Sequence, residues 1–432
     1  MKLQLNSMHK WFYKKYRLIY NHWIFCFTII TFLTLIALWI INPSSIVDWF
    51  FKDKPHAEIL AYIGLCCGAI LLLGNQHAAN KRNLIMEKGQ LDIRFKDAAT
   101  LLSSNNTSAI LSGIYALHQV AVEASKDHSQ QGYVSVIANI FCAYIRENRS
   151  NFPNQEGNIQ SKKIPAIIIQ TIVDSLFFNK DKIYKDCHLD LSSSVLINIK
   201  WEKGKINFHN TDLTNTDFRS AKLEYANFTG ARLTCTMFCH AELTGANFSN
   251  TSLASADFRN AVLINANLNN CNLMNANLKN AILINADLRN ALLLSADLQS
   301  AELSGANLYH ATFDNANLKY SSFEDAILSY ANIVNANLKC THLENANLEN
   351  SDLTYSDLSN ANLNYAKLNG ATLDLVKMEK THLYGVVLKL ESLKTAEIND
   401  VYINKDTILY KDDISDYNRE NLSKDFIYKD ED

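Results

Sequence analysis

From Phe208 to about Leu388 a bulky apolar residue returns at every fifth position, beginning Phe208, Leu213, Phe218, Leu223, Phe228, Leu233, Phe238, Leu243 and running on through Leu368 and Leu373. A period of five matches neither the 3.6 of a helix nor the 2.0 of a flat strand, so each unit must return the chain to the same environment by turning a corner. Two positions before each bulky residue stands a small one, as in Ala221, Ala226, Ala231, Ala241, Ala246, Ala256, Ala261 and Ala266. One bulky and one small side chain per unit point inward and stack, and the other three positions face water. Four sides of five residues make a coil of about 20, so the stretch forms roughly nine coils of about 4.8 Å each, a rod near 45 Å long. Alternating Phe and Leu fill its interior and leave no concave ligand cavity.

The units read ANLNN, ADLRN and ADLQS, the A(D/N)LXX signature, and over about two fifths of the chain they resemble the pentapeptide-repeat family. That resemblance implies a right-handed quadrilateral β-helix. Coil ends expose unpaired strand edges and need covering. Leu189–Phe208 reads as an irregular first coil with an inserted loop at 202–205. At the other end ESLKTAEIND predicts a short helix, KDTILY a closing strand, and the charged tail from Lys411 a frayed end.

At 432 residues the chain exceeds one hydrophobic core. From His22 to Ile41 about 20 residues carry no formal charge, enough to span a bilayer core of about 30 Å. A second apolar run, Ile59–Gly74, contains Gly64, Gly68, Cys66 and Cys67, small residues suited to close helix approach. Lys2, Lys10, Lys14, Lys15 and Arg17 precede the first run, and Lys81, Arg82 and Lys88 follow the second, which predicts a transmembrane hairpin with both flanks cytoplasmic. The sequence thus predicts a mainly β protein in four parts. Residues 1–82 are a basic segment with spans at about 22–41 and 57–76, in a multi-pass protein of a bacterial inner membrane. Residues 83–186 are a helical connector, 187–398 the β-helix with its caps, and 399–432 a closing strand and charged tail.

In the connector, Leu111–Ala124 and Tyr133–Glu147 place apolar residues at helical spacing, with Asn105 or Asn106 as N-cap, and a third helix starts near Pro165 and runs to Phe178. The polar segment Asn148–Lys163 joins them. RFKDAATLLSS (Arg94–Ser104), LSGIYALHQVAVEAS and IFCAYIREN resemble the helical region that precedes the repeats in membrane-associated bacterial members of the family. His118 and His128 lack a third ligand at helical spacing and take no metal role. Nine cysteines form no paired framework, which suits a reducing compartment.

No Gly-rich phosphate loop, GxSxG elbow, HExxH pair or convergent acid–base set occurs, which argues against an enzyme and against any cofactor. A net charge of −3 gives no bulk electrostatic case for a polyanion. Units centred on Phe218, Phe228, Phe248, Phe258 and Leu268 keep Asp or Asn before the centre, whereas those centred on Leu233, Leu263, Leu283, Leu293 and Leu303 carry Arg232, Val262, Ile282, Leu292 and Glu302. Residues 20 apart stack, so Val262 lies by Ile282 and Ile264 by Ile284 as an outward apolar patch, with Met274, Leu292 and Leu294 a smaller one on the opposite face. These residues predict contact with a protein partner or a second copy, and the function expected is a membrane-tethered cytoplasmic scaffold. Two alternatives come from the resemblance. Members that confer quinolone resistance resemble B-DNA in width and charge and bind gyrase, and others are secreted effectors acting at host membranes. Arg219, Lys222, Arg232, Arg259, Lys279 and Arg289 interrupt the negative charge a duplex mimic needs, and the same balance argues against direct nucleic-acid binding.

Overall fold

The computed structural model describes residues 56–147, 164–177, 182–200, 206–410 and 426–429. The segment before residue 56, with the first predicted span, lies outside the described residues, as do the 148–163 link, the 202–205 loop and 411–425. The chain divides into two compact units, Met1–Ile93 and Arg94–Asp432.

Helix α1, His56–Leu102, is continuous for 47 residues. This corrects the predicted hairpin and the multi-pass membrane placement. The apolar run within α1 ends at Gly74, before Asn75, Gln76 and His77, and about 16 residues at 1.5 Å reach about 24 Å, short of a bilayer core. No helix among the described residues is long and apolar enough to cross a membrane.

Helices α2 (Thr107–Ala124), α3 (Gly132–Glu147) and α4 (Ala166–Phe177) pack together. Asn106 caps α2, its side-chain oxygen accepting from the Ser108 N–H at 2.8 Å. Ile114, Leu117, Val120, Ile137, Phe141, Ile145, Ile168 and Ile172 form their core. Gly113 sits where a Cβ would stand 2.9 Å from both the Ala98 carbonyl oxygen and the Leu101 Cβ, so the end of α1 and α2 cross only because this position is bare. His118 Nδ1 lies 3.3 Å from the Tyr184 hydroxyl, a packing contact at the edge of this core.

From Ile206 the chain climbs as a square coil, each unit pairing in parallel with the unit 20 residues on, as Asn207 with Asn227, Asp212 with Arg232, Asp217 with Met237 and Lys222 with Glu242. The four columns define faces one to four in that order, with one opposite three and two opposite four. The cause is local. The N–H of nearly every small residue donates to the carbonyl of the bulky one before it, as Ala266 to Leu263 at 3.0 Å, closing a turn whose third residue has positive φ, such as Asn265 at 56°. That is type II geometry, which favours Asn or Gly at that corner. The bulky residues are dry from Phe208 to Leu373, and the small ones are buried beside them. Phe208, Phe228 and Phe248 stack from face one, Phe218, Phe238 and Phe258 stack from face three, and the two columns meet edge to face in the shaft at 5.6–6.3 Å.

The coil closes with β1 (Lys377–Glu379), β2 (Val387–Lys389), a 3₁₀ turn at Leu390–Leu393, β3 (Glu397–Asn399), β4 (Val401–Ile403), β5 (Ile408–Tyr410) and β6 (Phe426–Tyr428). Parallel pairs join β1 to β3, β2 to β5 and β4 to β6. The ESLKTAEIND stretch is helical only at its first residues and becomes β3, because Ile398 registers beside Met378 as the next rung. The tail is likewise not frayed throughout: Phe426–Tyr428 lies along Val401–Ile403, and the Lys429 N–H donates to the Ile403 carbonyl at 2.9 Å.

Candidate interaction surface

With the shaft filled, every group that can meet another molecule stands on an outer position or a corner. On face four the register places Val262 beside Ile282, with the Leu263 N–H donating to the Ile282 carbonyl at 2.7 Å and the Asn265 N–H to the Ile284 carbonyl at 3.0 Å. Val262, Ile264, Ile282 and Ile284 are half-buried, so this patch is shallow. On face two Asn272 pairs with Leu292, Met274 and Leu292 are exposed, and Leu294 is half-buried.

A second cluster has no counterpart in the sequence reading. On face one Asn307 pairs with Ile327, which interrupts a column of Asn and Asp. Tyr309 and Ile327 are 39% and 40% exposed, and at the adjoining corner Tyr330 is 48% exposed. The His310 ring stacks on Tyr330 with centroids 5.1 Å apart, while Tyr309 meets His310 at 4.4 Å and Tyr330 at 5.6 Å, both edge on. The signal was present in the sequence: Ile327 stands where Asn307 and Asn347 hold the neighbouring units, and His310 and Tyr330 stand between Asn290 and Asn350 in one corner column. A reading centred on the two variable faces passed over a departure on a regular one.

Corner tyrosines recur at Tyr225, Tyr320, Tyr355 and Tyr365, all with positive φ and all exposed. Two of them need a bare neighbour. A Cβ on Gly245 would stand 2.5 Å from the Tyr225 ring, and Gly385 meets Tyr365 in the same way, so each ring lies flat over the glycine one coil on.

Part of the negative charge on the rod is paired within it. The guanidinium groups of Arg219, Arg259 and Arg289 each hold the carboxylate two residues earlier, Asp217, Asp257 and Asp287, at 2.7 Å, and the Lys339 ammonium reaches Asp357 at 3.0 Å. The Arg289 hydrogen bond holds the Asp287 carboxyl below the ordinary carboxylate range, against a smaller opposing effect of burial. Burial pushes the Cys239 thiol up to about 11 and raises that of Cys271 in the shaft, so neither is an activated nucleophile. Among the described residues no group of three or more His, Cys, Asp and Glu could hold a metal ion, and nothing in the arrangement points to catalysis.

Residues 205–234, 241–280 and 271–308 match the family described as pentapeptide repeats (8 copies), and residues 296–373 match the pentapeptide repeat region family. No curated protein matches the chain. Solved structures that match include HetL, a pentapeptide repeat protein involved in heterocyst differentiation regulation from the cyanobacterium Nostoc sp. strain PCC 7120. It is 26% identical, with 50% of this chain and 89% of that one covered and a TM-score of 0.28. A pentapeptide repeat protein from the Arabidopsis thaliana thylakoid lumen is 31% identical over 22% of this chain and 65% of its own, with a TM-score of 0.21. A trypsin-treated form of QnrB1, a plasmid-mediated fluoroquinolone resistance protein, is 16% identical over 51% and 90%, with a TM-score of 0.28.

Proposed function

We propose, from the premise that residues 205–373 are a pentapeptide-repeat domain, that this chain is a non-enzymatic binding protein that presents the outside of its rod to a protein partner. One observation carries the reading: an exposed cluster of Tyr309, His310, Ile327 and Tyr330 on a rod whose interior is filled. Aromatic side chains offer large contact area at low cost in rotamer entropy and dominate interface hot spots. The cluster combines them with an aliphatic residue, and Arg289 and Glu349 occupy the same column one coil to either side. Ile264 and Ile284 lie on the adjoining face four, with Ile284 one coil below Ser304, and extend the apolar surface round the corner at Asn285 and Gly305. Val262 and Ile282 flank them, and Met274, Leu292 and Leu294 give the opposite side a smaller surface for a second copy.

A photo-crosslinking residue at position 330 of the full chain, returned to its source cells, tests this. Crosslinks to one protein that disappear in a Tyr309→Ser, Ile327→Asn variant support the reading, and a yield no higher than from position 250 defeats it. The paired carboxylates weigh against mimicry of a nucleic-acid duplex, which needs unbroken negative charge at phosphate spacing.

A further inference from the structure

At mid-rod, faces four and one are made of residues 301–310, 321–330 and 341–350, three successive rungs of each face. These stretches contain Glu302, Glu324, Asp325, Glu344 and Glu349 and neither lysine nor arginine. The register stacks them. The Gly305 N–H donates to the Glu324 carbonyl at 2.8 Å and the Asp325 N–H to the Glu344 carbonyl at 3.0 Å, up the edge between the two faces. The Tyr330 N–H donates to the Glu349 carbonyl at 2.9 Å, which sets Glu349 over the corner that carries the aromatic rings. Glu324 and Asp325 are exposed, and Glu302, Glu344 and Glu349 are half-buried. Among the described residues the ion-pair partner these carboxylates find is His342, whose Nδ1 lies 3.2 Å from Glu344 Oε1.

Elsewhere on the rod carboxylates have cations beside them. Besides the arginine pairs on Asp217, Asp257 and Asp287, Arg232 lies 3.6 Å from Asp212 and Lys222 lies 3.1 Å from Glu242. The lysines at mid-rod height stand on face three and are engaged there, Lys339 with Asp357 and Lys319 over the Tyr320 ring at 4.6 Å. Asp325 comes two residues before Ile327, so uncompensated negative charge borders the exposed surface of Tyr309, His310, Ile327 and Tyr330. Carboxylates at a rim set the charge a partner must carry, because like charge there costs affinity. Tyrosine ring faces attract the same sign, and a guanidinium stacks on a ring while its fork engages carboxylates. Nucleic acid and anionic lipid carry the wrong sign for this surface.

We propose that the aromatic cluster and the carboxylates along the edge between faces four and one bind a basic segment of a protein partner, whose arginine side chains lie against Tyr309 and Tyr330 and pair with Glu324, Asp325 and Glu349. The inference rests on the reading of that cluster as a protein interface and adds the chemistry of the partner. It is not imitation of a duplex, because the charge is a patch three rungs tall beside exposed rings and not a run at phosphate spacing along the rod.

Fluorescence anisotropy of labelled peptides with the full chain provides the test. The probe Gly-Arg-Leu-Arg-Gly-Arg-Gly should bind at low ionic strength and weaken about tenfold when salt is raised to about 0.3 M, while its counterpart with glutamate in place of arginine should not bind. Glu324→Gln with Asp325→Asn should weaken the arginine probe about fivefold, and Asn is at home at the positive-φ corner of residue 325. Tyr309→Ser with Ile327→Asn should weaken it by a similar factor. Glu224→Gln with Asp374→Asn removes the same charge elsewhere on the rod and should leave binding unchanged, and an unaltered unfolding midpoint shows each variant folded. Equal binding of the arginine and glutamate probes, binding of neither, or equal weakening by the two pairs of acid substitutions would overturn the proposal. Failure of the interface reading is separable. Crosslinks from position 330 whose yield ignores Glu324→Gln with Asp325→Asn keep the interface and remove the basic partner, whereas absence of crosslinks removes the interface itself.

Discussion

The rod from Ile206 to Leu373 and the coil that closes it from Asp374 to Tyr410 are built on the same square path and behave as opposites. In the rod every backbone environment recurs 20 residues later, the shaft is filled at each level, and each corner has one solution for its positive φ. In the closing coil bonds pass to side chains instead. The Gly385 N–H goes to Asn404 Oδ1 and the Leu375 N–H to Thr395 Oγ1, while parallel pairs persist between β1 and β3, β2 and β5, and β4 and β6. Repetition supplies stability as a sum of neighbour terms. In the rod only the outer positions and corners are free to vary, and there the exposed tyrosines stand.

The largest separation of the two regions should come from shaft truncation. Phe238→Ala removes a ring stacked on Phe218 and Phe258 and should cost about 3–5 kcal/mol in global unfolding by denaturant titration. Leu409→Ala, equally buried but in the closing coil, should raise amide exchange only in β2, β4 and β5 and leave the rod's midpoint nearly unmoved. Equal effects on one cooperative transition would erase the distinction.

Next in size is the corner glycine. Gly245→Ala drives a methyl into the Tyr225 ring at a positive-φ corner and should cost about 1–3 kcal/mol. Tyr225→Asn in the same chain should recover the steric part, and a double-mutant cycle without coupling contradicts the packing described.

A smaller effect distinguishes the closing coil by pH. Burial, and then the nearby Lys429 ammonium, hold the His382 imidazole below its ordinary 6.5, with Glu344 opposing. The unfolded chain takes up its proton first, so the stability tied to this ring is present above about pH 6.5 and is lost as pH falls through the depressed folded value. The protection of the β4 and β6 amides, taken relative to the intrinsic exchange rate at each pH, should therefore fall between pH 7.5 and 5.5 before any change in the rod. Smallest of all, Lys222→Ala breaks an exposed pair with Glu242 at 3.1 Å and should shift rod stability by under about 1 kcal/mol, and by still less at high salt.

How much of this could be read beforehand follows the same division. The period of five identified the inward residues, the stacking of Val262 with Ile282 and the coil length, because a repeat states its own boundary conditions many times over. Helices α2 to α4 were legible from apolar spacing and Asn106. The continuity of α1 past Gly74 was not, because an apolar run reports burial or lipid equally and does not say where a helix ends. β6 was hidden because Phe426, Ile427 and Tyr428 form an isolated apolar triplet in a charged tail, and only the open edge of β4 gives it a place. The aromatic cluster was visible as Ile327 and Tyr330 in columns of Asn, but only the register brings Tyr309 and His310 beside them.

The account depends on a shaft with no room in it, and thiol labelling measures that directly. Cys271 occupies a small-residue position inside the rod and is fully buried, whereas Cys235 sits on an exposed corner. In a chain whose other cysteines are serine, native protein should expend one thiol at once, at Cys235, and leave Cys271 unlabelled until the rod unfolds. Labelling of Cys271 in the folded protein at a rate near that of Cys235 would mean a solvent-filled interior and would contradict the central claim.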